Sequence, residues 1–80
     1  MEKEEIIELI RSEVAKEFGE KRIKKIRAFG PYEGEDLNVI VYVEGIDEEK
    51  EGYKLHSKLF DQFIELGIDV PLHIARAKEE

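Results

Sequence analysis

The sequence predicts a small α+β domain of order α-β-β-α-β. The expected architecture is a two-layer sandwich: a three-stranded mixed sheet in the order 1-2-3, with both helices on one face. Three observations lead there. Ile6, Ile10, Val14 and Phe18 recur every four residues, as on one face of a helix. Two alternating segments, 22–29 and 37–43, flank a short polar corner. A second helical stripe then leads into a third alternating segment, 68–75.

The first helix covers residues 2–18. Ile7 and Leu9 widen its stripe, glutamates crowd its first turn where the helix dipole favours them, and Gly19 follows as a C-terminal cap. Strand one, "RIKKIRAF", places Ile26 and Ala28 on one side and Arg27 and Phe29 on the other. Strand two, "LNVIVYV", places Leu37, Val39, Val41 and Val43 on one face and Asn38, Ile40 and Tyr42 on the other. It is the most apolar strand, which suits the centre of a sheet. Asp47 is the expected N-cap of the second helix, with Lys50 at the third helical position and so no full capping box. Leu55, Leu59, Phe63 and Leu66 make its buried stripe, flanked by Phe60; Gly52 interrupts the pattern and Gly67 ends it. In strand three Ile68, Val70, Leu72 and Ile74 alternate with Asp69, Pro71 and His73. Pro71 cannot donate to a ladder, so this strand belongs at an edge. The short corner makes strands one and two an antiparallel hairpin, and the second helix is long enough for a right-handed parallel crossover to strand three.

Eighty residues make a single domain, 1–80, with one thin core. The chain is 41% apolar and 41% charged, a globular composition whose many charges of both signs suggest heat adaptation. A net charge of −7, from 20 acidic and 13 basic residues, argues against a free-standing nucleic-acid binder, although a local basic patch is compatible with it. The absence of cysteine excludes disulfides and thiolate metal sites. No apolar run reaches the roughly 18–20 residues of a membrane span, and the acidic start "MEKEEIIELI" is no leader peptide. The expectation is a soluble, cytoplasmic protein.

The corner "AFGPYEGEDLNVIVYV" raises the functional question. Gly30, Pro31 and Gly34 are turn residues, and Asp36 and Asn38 suit a hairpin mouth. The same stretch, within "IRAFGPYEGEDLNVIVYVEG", also resembles the core of the minimal nucleotidyltransferases of the DNA polymerase beta-like superfamily. In that family a strand, Phe-Gly-Ser and a short helix precede Asp-x-Asp at the start of the next strand. Phe29-Gly30 matches the Phe-Gly, Gly34 the later glycine, and Asp36 the first metal-binding Asp; Asn38 takes the second position, and Asp69 is the acid available for a third. The resemblance implies Mg²⁺ with a nucleotide on Asp36, Asn38 and Asp69, and phosphate at Gly30 and Gly34. The sequence departs from the pattern at Pro31, which replaces the serine, at Asn38, which removes a charge, and in the short separation of Gly30 from Asp36. The expectation is therefore little or no nucleotidyl transfer, no required cofactor, and a role in binding a protein partner, a second copy, or a nucleotide weakly. Its surface would be the sheet face carrying Phe29, Ile40, Tyr42 and His73, with Asn38 and Asp69.

Two other resemblances compete. The element order and length are similar to those of BolA-like proteins, partners of glutaredoxins in iron–sulfur handling. His56 with Leu59 and Phe60 echoes their histidine and hydrophobic-aromatic pair, but Leu55 and Ser57 stand where that signature has arginines. A KH-like RNA-binding order lacks its Gly-x-x-Gly loop here. On its own terms His56, between Tyr53 and Phe60 at helical spacing, reads as a partly buried histidine at the edge of the core, and His73 as an exposed sheet residue.

Overall fold

A computed structural model of the chain describes residues 2–30 and 36–77. It contains two α-helices, α1 (Lys3–Phe18) and α2 (Tyr53–Leu66), and three strands, β1 (Ile23–Phe29), β2 (Asn38–Val43) and β3 (Leu72–Arg76). The sheet is mixed, in the order β1-β2-β3: β1 runs antiparallel to β2 and β3 parallel to it. This is the α+β order and the strand order that the sequence predicts.

The core is a single cluster. Val39, Val41 and Val43, on one side of β2, join Ile6, Ile10 and Val14 of α1 and Leu55, Leu59 and Phe63 of α2, all essentially inaccessible to solvent. Each such side chain contributes about 1.5–3 kcal/mol relative to an exposed one. Leu37, Ile46, Val70 and Ile74 complete the cluster. Phe18, Ile7 and Leu9 pack at its margin. Two residues assigned to the stripe of α2 and its flank behave otherwise: Leu66 and Phe60 are about half exposed, at 51% and 52%. Leu66 is the last residue before the left-handed Gly67 cap.

In β1, Ile23 and Ile26 both pack against the core although they are three residues apart. A regular strand would turn them to opposite faces, so an extra residue must intervene. The pairing shows it: Ile23 lies opposite Val43 and Lys25 opposite Tyr42, with the register shifting between them. Lys24 is the inserted residue.

Helical structure begins before α2, in a π-helical turn, Glu48–Gly52. Asp47 caps it: its Oδ1 accepts from the N–H of Glu49 at 3.0 Å and of Lys50 at 3.1 Å. The reciprocal bond that Lys50 cannot make comes from Glu51, whose carboxylate accepts the Asp47 N–H at 3.1 Å. The wider turn brings the acid one residue later into the returning position. α2 proper does start late, at Tyr53, but Gly52 does not break the helical path. It is buried, adopts ordinary right-handed helical angles, and lets the turn lie against Ile74 of β3. Glu48 then closes part of the outer edge of β3 by accepting the N–H of Arg76 at 2.6 Å.

The two helices are tied by charge. Lys58 of α2 lies 2.9 Å from Glu17 and 3.8 Å from Glu13, both on α1. The Glu17 hydrogen bond, then its charge, raises the Lys58 pKa above its ordinary value. A raised folded-state value means that this link is intact at neutral pH and is lost as pH climbs through it.

A Cβ at Gly52 would meet only the Asp47 and Ile74 carbonyls at 3.9 Å and a methyl of Ile74 at 4.0 Å, all ordinary contacts. Gly52→Ala is therefore expected to stabilise the fold by about 0.5–1 kcal/mol through the unfolded chain and helix propensity. A urea midpoint that falls instead would show that the π-helical turn needs glycine.

Candidate functional site

The corner splits at the boundary of the described residues. Gly30 ends β1 with φ 86°, a left-handed angle that favours glycine. Gly34 and Pro31 lie outside the described residues, as does the stretch where a phosphate-binding helix would begin. Asp36 and Leu37 enter β2, and Asn38 is its first residue, paired with Phe29.

Asp36 and Asp69 are brought together, through the backbone. The Asp36 N–H donates to the Asp69 carbonyl at 2.8 Å, and the Asp69 N–H donates to Asp36 Oδ2 at 2.6 Å. A third bond, from the Val39 N–H to the Pro71 carbonyl at 3.0 Å, continues the same line. These bonds prolong the parallel pairing of β2 and β3 ahead of the ladder proper. They also explain why strand three begins at Leu72 rather than at residue 68: residues 69–71 run beside β2 with a side chain standing in for one backbone partner. Pro71 uses only its carbonyl here, so its missing N–H costs nothing. Both aspartates are exposed. Among the described residues, no group of three histidines or acids is close enough to hold a metal ion.

The other side of the sheet assembles differently. Direct pairing sets residues in rows: Arg27–Ile40–His73, Lys25–Tyr42–Ala75, and Phe29–Asn38. Ile40, Tyr42, Asn38 and Ala75 are half-buried, while Lys25, Arg27, Phe29 and His73 are exposed. All four residues assigned to a partner face thus share one face of the sheet, whereas Asp69 belongs to the segment before β3. A shallow groove of about 430 Å³ lies on this side, lined by Lys24, Lys25, Arg27, Tyr42, Ala75, Arg76 and Ala77. Lys24 is held by Glu44 at 2.7 Å, and that hydrogen bond, with the Lys24 charge, lowers the Glu44 pKa. Lys25 and Arg27 make no ion pair among the described residues. The cations were visible in the sequence as Lys21–Arg27, five basic residues in seven. The bulge at Lys24, which directs Lys25 to this face, was the missing piece.

A second groove, of about 400 Å³, runs between the π-helical turn, α2 and the outer edge of β3. Glu48, Glu49, Tyr53, His56, Leu72 and His73 line it. His56 is half-buried and stacks on Phe60, with ring centroids 6.4 Å apart. His56 is thus partly buried, as its sequence position suggests, although Tyr53 and Phe60 on either side of it are exposed.

The chain matches no family model, no curated protein and no solved structure.

Removing the Asp36 carboxylate should loosen the start of β2 from the segment before β3. Asp36→Ala is expected to lower stability by about 1 kcal/mol, and Asp36→Asn, which keeps an acceptor oxygen, by less. Thermal unfolding of the two variants checks this; equal losses would show that the hydrogen bond to Asp69 is not what Asp36 supplies.

Proposed function

We propose that this chain is a non-catalytic binding module, a degenerate nucleotidyltransferase-like domain, that holds an acidic protein partner on the uncovered face of its sheet. In this reading both helices cover the Val39–Val41–Val43 face and leave the Ile40–Tyr42 face free. The observation that carries it is the grouping of Lys25 and Arg27 beside the half-buried Ile40 and Tyr42, with Phe29 and His73 at the margin. Such a face offers apolar contact in the centre and cations along one side, and it belongs to a chain of net charge −7. A carboxylate-rich segment would gain charge-assisted bonds from these two cations, which make no ion pair among the described residues.

What supports the non-catalytic half is the use made of Asp36. One of its oxygens is committed to the Asp69 N–H, and Asn38 supplies no charge. Mg²⁺ prefers several hard oxygen ligands in near-octahedral geometry, and this donor set does not fit that demand. No reaction step is therefore assigned to the corner. A nucleotide is the second reading, favoured by Tyr42 lying beside Lys25 in one row: a base can stack on the ring while phosphate meets the cation.

Calorimetric titration with poly-glutamate and with Mg-ATP tests both readings. Weak binding of poly-glutamate is expected, reduced about tenfold or more in Lys25→Glu/Arg27→Glu. Binding that this double variant leaves unchanged, or no binding by the native chain at millimolar poly-glutamate, would overturn the acidic-partner reading. Mg-ATP binding that Asp36→Ala abolishes would return function to the corner.

A further inference from the structure

The outer side of α2 carries an apolar stripe that the core does not use. Tyr53, Phe60 and Ile64 are 69%, 52% and 61% exposed, and His56 stacks on Phe60. Their spacing places them along one line of the helix, separate from the buried line Leu55, Leu59 and Phe63. Three large exposed apolar side chains in one line on a 14-residue helix form an interaction surface rather than scattered surface residues.

The charges beside the stripe indicate what covers it. Lys54, Asp61 and Glu65 follow one another along one flank, again at helical spacing, and all three are exposed. None makes an ion pair among the described residues. Lys58, by contrast, turns to α1 and its glutamates. The flank therefore reads positive toward the N-terminal end of α2 and negative toward the C-terminal end. When two identical helices pack antiparallel about a two-fold axis, each flank meets the same flank of the other copy in reverse order. Lys54 then faces the acids of the second copy, and its own Asp61 and Glu65 face the second copy's lysine. In a parallel pair this flank would meet the opposite flank of the other copy, where α2 carries His56 and no lysine or acid, so none of these pairs would form. The pattern is self-complementary in one orientation only.

We propose that the exposed stripe of α2 is a homodimer interface, in which two copies pack α2 antiparallel, Phe60 near the axis, Tyr53 opposite Ile64, and Lys54 opposite Asp61 and Glu65. It is independent of the sheet-face reading, because it uses another element and leaves Lys25, Arg27 and Tyr42 untouched. The interface is small, and dissociation constants on the order of 10–100 μM suit its size.

Sedimentation equilibrium from about 10 μM to 1 mM tests it. The native chain is expected to pass from monomer to dimer over that range. Phe60→Glu, at an exposed position that leaves the core intact, should weaken dimerisation more than about a hundredfold with an unchanged thermal midpoint. Lys54→Glu and Asp61→Lys should each weaken it about fivefold, and Lys54→Glu/Asp61→Lys should restore it. A native chain that stays monomeric to 1 mM overturns the proposal, as does a dimer indifferent to Phe60→Glu. A double variant no stronger than either single one overturns the antiparallel arrangement.

Discussion

Val39, Val41 and Val43 project to one side of a strand that bonds to β1 along one edge and to β3 along the other. A slip of one residue in either pairing would turn that row out of the core and bring Ile40 and Tyr42 into it. The core cluster opposes such an exchange, because it joins these valines to the buried residues of α1 and α2. The rest of the molecule follows from this alternation. The Lys24 bulge keeps Ile23 and Ile26 on the core side, the Asp36–Asp69 bonds extend the parallel pairing, and Glu48 covers part of the β3 edge.

Most of this was readable from the residues. The four-residue recurrence in α1 and the strict alternation in β2 come from packing against a single core, and such patterns survive translation from sequence to structure. Boundaries and caps were less legible. Asp47 announced a cap, but not that the turn after it is π-helical and lies near Ile74, far along the chain, and so Gly52 read only as an interruption. Pro71 marked an edge correctly, while the alternation from Ile68 set the strand's start too early, because a side chain of Asp36 takes over where the ladder is missing. The Lys24 bulge could have been inferred: two core isoleucines an odd number of residues apart cannot share a face without one. The corner was the hardest element. Its aspartates resemble metal ligands in type and position, and only the hydrogen bonds between them reveal a structural task for Asp36.

The exposed side of α2 has the same lesson in reverse. Periodicity assigned Leu66 to the buried stripe and Phe60 to its flank because a hydrophobic stripe in sequence does not say which of its residues reach the core. The structure divides the apolar residues of α2 into two lines, of which the sheet and α1 cover one. The molecule is thereby left with two unlike surfaces: a cationic, partly aromatic sheet face, and an apolar helix stripe whose flank runs from positive to negative along the helix. In a chain of net charge −7, Lys25 and Arg27, without ion pairs among the described residues, form a cationic patch against the overall balance.

The claim that function resides on the sheet face rather than in the corner is tested most directly by residue-resolved chemical-shift mapping with an acidic peptide. The account predicts perturbations at Lys25, Arg27, Ile40, Tyr42 and Ala75, with Gly30, Asp36 and Asp69 little changed. Perturbations centred on Gly30, Asp36, Asn38 and Asp69, with the Tyr42 row silent, would contradict it.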